Sequence, residues 1–174
     1  MPVTRILGID PGSRVTGYGI IDSEGNRLIH VAHGTLVLDE TEQADKLRRI
    51  FTELSELLAE HIPHEVAIEK VFMHRNPDSA LKLGQARGVA IAACAVAERS
   101  IHEYSANQIK QALVGRGHAA KPQIQHMVKV LLNLREAPVA DAADALAVAV
   151  CHAHTRSSLQ QIPGSKSARA GRIS

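Results

Sequence analysis

The sequence has very few aromatic residues: no tryptophan, two tyrosines and two phenylalanines among 174 residues. Apolar residues nevertheless make up 45% of the chain, which is normal for a globular protein and argues against global disorder. Aliphatic side chains must therefore fill the core, and an aromatic side chain outside that core would stand out. We predict a single domain over residues 1–154, followed by a basic, flexible tail over residues 155–174.

The chain also lacks a disulfide framework, a signal peptide and a membrane-spanning run. Its two cysteines, Cys94 and Cys151, lie in Ala/Val-rich segments and are predicted to be small buried hydrophobic residues. The N-terminal segment MPVTRILGID has no signal-peptide pattern, and no apolar run reaches the length that spans a bilayer. These absences favour a protein of the reducing cytoplasm.

Acidic residues are missing from one long stretch, although the formal net charge of +2 is too small to diagnose a nucleic-acid-binding protein. There is no Asp or Glu between Tyr104 and Arg135, and the tail after His154 is also basic. Such stripes suit an anionic polymer, while a solvated face with a disordered end is the alternative. The basic residues of the two stretches are Lys110, Arg116, Lys121, Lys129, Arg135, Arg156, Lys166, Arg169 and Arg172.

Hydrophobic periodicity predicts the element order βββ-α-β-α-β-α-α-α. The first three strands are joined by short turns, so neighbours should be antiparallel. This order is typical of an α/β protein, and we expect a five-stranded mixed sheet flanked by helices. Strands are predicted over 5–10, 16–22, 27–38, 65–69 and 100–104. Helices are predicted over 43–61, 79–97, 106–114, 122–134 and 140–154, with Asp78 or Ser79 as the N-cap of the second.

The second predicted helix is apolar on nearly every side. One face of it can cover the sheet, and the other face needs cover as well. Either a partner subunit or other helices of the same chain could provide that cover, and the pattern alone does not separate the two.

Four carboxylates stand out because of where they are placed. Asp10 follows the apolar strand in ILGIDPGS, and Glu69 ends the strand in VAIEKVF. Asp141 and Asp144 lie three residues apart in ADAADALAVAV, so they share one face of the last helix. The small residues around them would let this helix approach the sheet edge closely. Buried carboxylates without partners are costly, so four that converge need positive charge among them.

A pair of divalent cations is an economical source of that charge. Mg²⁺ prefers carboxylate and water oxygens, and Mn²⁺ accepts the same ligands. Two ions about 3.5–4 Å apart would activate a water and stabilise the leaving oxygen of a phosphodiester. Taken singly, the carboxylates have ordinary explanations, such as a turn cap at Asp10, a solvated strand end at Glu69 and a first-turn residue at Asp141. The combination is what predicts catalysis.

Phe72 follows Glu69 closely and is able to stack on an unpaired base. A hydrophobic staple for the next helix is the alternative role for this side chain. In the basic stretch, His118 and His126 could approach phosphates or simply lie on the surface.

The sequence Cys151-His152-Ala153-His154 contains metal-ligand residue types. Neighbouring positions on a helix point apart, and zinc spacing needs i, i+4 pairs or a distant second pair. We interpret this segment as a helix end rather than a zinc site.

Four stretches together resemble the RuvC family of Holliday junction resolvases. They are GIDPGSRVTGYG, AIEKVFMHRNPDSALKLGQARGVA, QIKQALVGRGHAAKPQIQHMVK and ADAADALAVA, within about Ile6 to His152. The resemblance implies a ribonuclease-H-like fold, a homodimer and a Mg²⁺-dependent endonuclease that makes paired nicks at a four-way DNA junction. It also implies work in recombination and repair with the branch-migration complex RuvA–RuvB, in the bacterial cytoplasm at the nucleoid.

The resemblance also suggests roles for individual residues. Those that look like the family's catalytic ligands for two Mg²⁺ ions, with Mn²⁺ as a substitute, are Asp10, Glu69, Asp141 and Asp144. Those that look like its DNA-binding residues are Phe72, at the junction centre, and Lys110 and Lys121, near the scissile phosphate. Further DNA-binding candidates are Arg75, Arg116 and His118. The tail after Thr155 carries no family motif, so its role is open.

Two other functions are compatible with parts of the pattern. Actin-like ATPases and sugar kinases also begin with a strand that ends in Asp before a Gly-containing turn. This chain is short for two such lobes and shows no second phosphate loop. A junction-binding scaffold without catalysis is the second rival, and in that protein the four carboxylates would be dispensable.

Overall fold

The computed structural model describes residues 2–71, 76–115 and 119–160, and it confirms the predicted order of elements. The strands are β1 (Thr4–Asp10), β2 (Val15–Glu24), β3 (Arg27–Val37), β4 (Glu65–Glu69) and β5 (Ser100–Tyr104). The helices are α1 (Gln43–His61), α2 (Pro77–Val96), α3 (Ala106–Val114), α4 (Lys121–Leu131) and α5 (Ala140–Gln160).

The structure differs from the sequence prediction mainly at helix ends, although β2 also begins one residue earlier and ends two residues later than predicted. The N-cap of α2 is Asn76, whose side chain accepts hydrogen bonds from the backbone N–H groups of Asp78 and Ser79. The prediction of Asp78 or Ser79 as the cap was therefore wrong, because Pro77 already occupies the first helical position, where its missing N–H costs nothing.

The other two differences concern α4 and α5. Helix α4 begins at Lys121 and ends at Leu131, earlier than predicted at both ends. Helix α5 continues to Gln160, beyond the predicted end at His154. In that extension, Ser157 donates a hydrogen bond from its hydroxyl to the carbonyl oxygen of Gly25, so the added turns are held against the β2–β3 turn.

The five strands form one mixed sheet in the order β3-β2-β1-β4-β5. The first three strands are antiparallel neighbours, and the tight turn between β2 and β3 uses Gly25 at φ +60°. Strand β1 is parallel to β4, and β4 is parallel to β5. Parallel strands end at the same edge of a sheet, so the last residues of β1 and β4 come together there.

Each face of the sheet has its own apolar core. Helices α1 and α2 cover one face, which carries Leu7, Ile9 and Ile68. Helices α3, α4 and α5 cover the other, which carries Ile6 and Ala67. Side chains alternate between the faces of a strand. Asp10 and Glu69 are therefore on the side of α5, the same side as Ile6 and Ala67.

Glycines in the sheet let α5 pack unusually close to it. A Cβ atom at Gly8 would meet the carbonyl oxygen of Ala145, and one at Gly17 would meet the carbonyl oxygen of Asp141. On the helix, the facing positions are alanines such as Ala142 and Ala149, which are fully buried. Small residues on both surfaces thus bring the first turns of α5 directly over the ends of β1 and β2.

One face of α2 is not covered by any other part of the chain that the structure describes. Ala86, Ala90 and Ala93 are buried on the opposite face, against α1 and the sheet. Leu81 is 69% exposed and Val96 is 73% exposed. The sequence left two alternatives for this face of α2, a partner subunit or helices of the same chain. Among residues 2–71, 76–115 and 119–160, no helix covers it.

Both cysteines are free and buried, as predicted. Within the described segments, no helix combines the length and the apolar character needed to cross a membrane.

Candidate active site

Asp10 and Glu69 lie side by side because β1 and β4 are paired in parallel. Ile9 is the register partner of Ile68, so the next residue of each strand ends its strand at the same edge. Adjacent strands are about 4.8 Å apart, which places the two carboxyl groups within direct electrostatic reach. The turn after Asp10 is closed by Thr16, whose hydroxyl oxygen accepts a hydrogen bond from the N–H of Gly12.

Helix α5 brings the other two predicted carboxylates to this edge. Gly17 is the register partner of Asp10 on β2, and the carbonyl of Asp141 lies directly over Gly17. Asp144 follows one turn later and shares a cavity with Asp10 and Glu69. Asp141 is not among the residues that line this cavity, but its charge acts on both Asp10 and Asp144.

The cavity has a volume of about 280 Å³ and combines both signs of charge. Besides the three carboxylates it is lined by Lys110 of α3 and Lys121 of α4. The ammonium nitrogen of Lys121 lies 3.7 Å from a carboxylate oxygen of Asp144, although the lysine side chain is 80% exposed. Such an exposed pair contributes little stability. It shows that the lysine reaches the acidic cluster while still facing solvent.

The carboxylates of the cavity destabilise one another when all are ionised. Burial, followed by the charges of Glu69 and Asp144, raises the pKa of Asp10 to about 8. Burial also raises the pKa of Glu69 and of Asp144, against the opposing effect of Lys121. Two lysines on the rim do not offset this repulsion. The cluster thus has the donor set and the uncompensated negative charge that suit hard divalent cations with oxygen ligands.

Arg87 of α2 also supports the end of β4. Its Nε–H donates a hydrogen bond of 3.3 Å to the backbone carbonyl oxygen of Glu69. Its Nη2 lies 3.1 Å from a carboxylate oxygen of Glu103 on β5, and both side chains are less than one-third exposed. The guanidinium therefore joins the ends of β4 and β5 just behind the cavity. Sequence analysis missed this residue because Arg in an apolar helix gives no sign of which strand it will reach.

Four of the predicted DNA-binding residues lie outside the described part of the chain. They are Phe72, Arg75, Arg116 and His118. His126 lies on α4 and is exposed. Of the residues predicted to bind metal or DNA, those that the structure brings together in the cavity are Asp10, Glu69, Asp144, Lys110 and Lys121.

A second group of metal-ligand residue types lies elsewhere, and sequence analysis also missed it. Glu65, His102 and His152 place one ligand atom each within 4.8 Å of one another. The interpretation of Cys151–His154 as a helix end was wrong, because α5 continues to Gln160 and these residues lie inside the helix. The two residues that meet His152 come from β4 and β5, not from its neighbours on its own helix. The three residues have no characteristic spacing in the sequence. Predicting the group would have required the β4–β5 register and the position of α5 over these strands.

A mixed sheet with carboxylates at two strand ends and on the covering helix is the arrangement of a ribonuclease-H-like protein. The family model "Crossover junction endodeoxyribonuclease RuvC" matches residues 6–152. The chain is 55% identical over 170 residues to the RuvC protein of Marinobacter nauticus, covering 97% of both. It is 57% identical over 164 residues to that of Idiomarina loihiensis, covering 91% of this chain and 92% of the relative.

Solved structures agree with the sequence comparison. The Thermus thermophilus RuvC structure is similar with a TM-score of 0.80 and 34% identity, covering 88% of this chain and 95% of that one. Another structure shows T. thermophilus RuvC in complex with Holliday junction substrate, with a TM-score of 0.80 and 31% identity over the same shares. The chain belongs to the RuvC family, and the predicted family and ribonuclease-H-like fold are confirmed.

Proposed function

We propose that this protein is a Mg²⁺-dependent endonuclease that resolves four-way (Holliday) DNA junctions by paired, symmetric nicks in strands of like polarity. The observation that carries the proposal is the cavity at the sheet edge, in which Asp10, Glu69 and Asp144 meet Lys110 and Lys121. Family membership supports the substrate, since a RuvC structure 31% identical to this chain is a complex with a Holliday junction.

In this proposal Asp10, Glu69 and Asp144 would hold two divalent ions, and Asp141 would add a fourth carboxylate from the preceding turn of α5. When bound, Mg²⁺ would activate a water and stabilise the leaving oxygen of the phosphodiester, and Mn²⁺ would substitute for it. Lys110 and Lys121 flank the carboxylates and hold the scissile phosphate in the cavity. Their positive charge stabilises the extra negative charge that develops on phosphate during attack.

The remaining DNA-binding candidates fall in two segments of the sequence that lie outside the described residues. Phe72 and Arg75 come three and six positions after Glu69, and Arg116 and His118 come between α3 and α4, the helices that carry the two cavity lysines. Phe72 would stack on an unpaired base at the junction centre. The other three would contact phosphates, which gives affinity with a strong salt dependence.

A homodimer fits both the substrate and the uncovered face of α2. A four-way junction has approximate two-fold symmetry, and a C2 dimer presents the same site twice. The uncovered face is a stripe of small and apolar residues, which allows the close approach of a second copy of the helix. The residues of this α2 stripe are Leu81, Gly84, Gly88, Ala92 and Val96.

Gly88→Leu tests the dimer without disturbing the subunit itself. A Cβ at Gly88 meets no atom within 4 Å, and replacing a mid-helix glycine favours the helix by about 1 kcal/mol. We expect sedimentation to show a wild-type dimer at micromolar concentration and a folded G88L monomer, with paired nicking lost. Glu56→Leu, at an exposed position of α1, is the matched control and should remain dimeric. A monomeric wild type, or an unchanged G88L dimer, would count against this interface.

Arg87→Lys tests how the end of β4 is positioned. Lysine keeps the charge but cannot bridge the Glu69 carbonyl and Glu103 at once. We expect a roughly tenfold to hundredfold lower cleavage rate, since small displacements of catalytic groups are costly, together with a higher Mg²⁺ concentration for half-maximal activity. The exposed Arg48→Lys on α1 is the control. A lower unfolding free energy with an unchanged Mg²⁺ requirement would show a purely structural role.

Cleavage of labelled synthetic four-way junctions tests the proposed function directly, with linear duplex as the control substrate and EDTA to arrest the reaction. We expect symmetric nicks on the junction with Mg²⁺ and none on the duplex. Junction binding that never leads to nicks, even with Mg²⁺ or Mn²⁺, would favour the scaffold. Nucleotide-dependent turnover, or tight ATP binding by calorimetry, would favour the ATPase.

In the cell, this activity would serve homologous recombination and DNA repair. The protein would act on chromosomal DNA in the bacterial cytoplasm, together with the branch-migration complex RuvA–RuvB. Loss of the gene should then sensitise the cell to agents that break DNA, and the Asp144→Asn variant should not restore resistance.

A further inference from the structure

The group formed by Glu65, His102 and His152 lies at the far end of the same elements that build the candidate active site. Glu65 begins β4 and Glu69 ends it, a separation of about 13 Å along the strand. On α5, His152 lies about 12 Å beyond Asp144. We name this second group the His–Glu cluster. It is distinct from the acidic cavity and is not used by the proposed nuclease chemistry.

The His–Glu cluster is built from three elements that face one another. Glu65 on β4 and His102 on β5 both point to the α5 side of the sheet, as Ala67 does. His152 enters from α5 and is only 3% exposed. The imidazole rings of His102 and His152 are 4.3 Å apart between centroids.

His152 is held in a fixed orientation by hydrogen bonds at both ring nitrogens. Its Nε2 lies 2.6 Å from Oε2 of Glu65, and its Nδ1 lies 2.7 Å from the hydroxyl of Tyr104. The other carboxylate oxygen of Glu65 accepts a hydrogen bond of 3.2 Å from Arg156. A partner on the second nitrogen is the arrangement that orients metal-binding histidines in proteins.

We propose that the His–Glu cluster binds a borderline divalent cation of the Zn²⁺ class. Two imidazoles and one carboxylate, with ligand atoms within 4.8 Å of one another, are the donor set that Zn²⁺ takes with a water as fourth ligand. The ion would replace the proton shared by Glu65 and His152, while Arg156 keeps the second carboxylate oxygen and Tyr104 keeps Nδ1. The imidazole of His102 makes no hydrogen bond to another described residue, so a ring nitrogen is available.

The two sites on this chain would then select different metals. The acidic cavity offers only oxygen donors, which suit Mg²⁺, whereas imidazole nitrogen is favoured by Zn²⁺ and its neighbours in the transition series. An ion in the His–Glu cluster would link α5 to β4 and β5 at the end opposite to the nuclease site. Its effect would be on stability, and junction cleavage would continue to depend on Mg²⁺.

Zn²⁺ added to the metal-free full-length protein tests the site. By calorimetry in millimolar Mg²⁺, we expect one Zn²⁺ per chain that Mg²⁺ does not displace. The Tm should rise by about 5 °C or more at a roughly hundredfold excess over Kd. Substitution with Co²⁺ should give visible absorption bands of a bound, low-coordinate ion.

His102→Gln should abolish both the binding of Zn²⁺ and the rise in Tm that Zn²⁺ causes. The Tm of the metal-free variant should stay close to that of wild type, since the ring of His102 makes no hydrogen bond within the described chain. The control is the double variant His30→Gln, His33→Gln, which removes the other close histidine pair, 2.7 Å between ring nitrogens. The proposal is overturned if Zn²⁺ binding survives His102→Gln, is lost in the control, or is absent from the wild type. Each of these outcomes is independent of junction cleavage.

Discussion

Asp144→Asn is expected to lower the rate of Mg²⁺-dependent junction cleavage by at least about a thousandfold, while junction binding stays close to wild type. Asparagine has nearly the shape of aspartate, so the packing of α5 over Gly17 and Gly8 is kept. The substitution removes one anionic oxygen ligand from the cavity shared with Asp10 and Glu69. It also removes the carboxylate that faces Lys121, and that lysine remains free to contact phosphate.

The measurement is single-turnover cleavage with protein in excess, together with a separate binding assay in Ca²⁺ or EDTA. Asp45→Asn is the matched control, because this carboxylate lies on α1 and pairs with the exposed Arg48. Its cleavage rate should equal that of wild type. Cleavage by Asp144→Asn at a rate near that of wild type in Mg²⁺ would remove the acidic cavity from the mechanism.

The stability of the metal-free protein should fall as pH rises from about 5 to 8. Burial and the neighbouring carboxylates raise the pKa of Asp10 to about 8, and the pKa values of Glu69 and Asp144 are raised as well. In the unfolded chain these groups titrate near 4. Between the two pKa values the native state holds more protons than the unfolded state. The contribution of Asp10 to the unfolding free energy is therefore complete below pH 4 and is lost towards pH 8, by about 1.4 kcal/mol per pH unit for one proton. Glu69 and Asp144 act in the same direction, because their pKa values are also raised.

Comparison of Asp10→Asn with wild type separates the Asp10 contribution to stability from that of other titrating groups. Burial lowers the pKa values of His30 and His102, so these histidines make the protein more stable as pH rises. Urea unfolding in EDTA should show the variant gaining stability over wild type by a few kcal/mol between pH 5 and pH 8. Mg²⁺ should stabilise wild type most at pH 8, because the ions bind the ionised carboxylates. If the unfolding free energies of wild type and Asp10→Asn changed in parallel with pH in EDTA, the proposed repulsion among the carboxylates would be contradicted.

Much of the architecture could be predicted from the sequence because the hydrophobic periodicity of each segment was unambiguous. The period of α1 and the short apolar strands β4 and β5 depend on residues close in sequence. The N-cap of α2 was predicted wrongly although the sequence contains the signal. Asn76, Asp78 and Ser79 are all good capping residues, and Pro77 at the first helical position selects Asn76.

The acidic cavity was predicted from residue type and position, and its assembly depends on a register that sequence does not show. Asp10 and Glu69 meet because β1 and β4 are parallel neighbours, and Asp144 joins them because glycines in β1 and β2 admit α5. Arg87 and the His–Glu cluster could not be found in advance. Their partners lie on other elements at unrelated sequence distances, and each residue alone has a common structural explanation.

The location of bound metal is the most direct test of the account. Crystals grown with junction DNA and Mn²⁺, measured at the manganese absorption edge, should show two anomalous peaks about 3.5–4 Å apart between Asp10, Glu69 and Asp144. Both peaks should be lost in Asp10→Asn. If the same crystals showed cleaved junction but no manganese in this cavity, the claim that these carboxylates hold the catalytic ions would be contradicted.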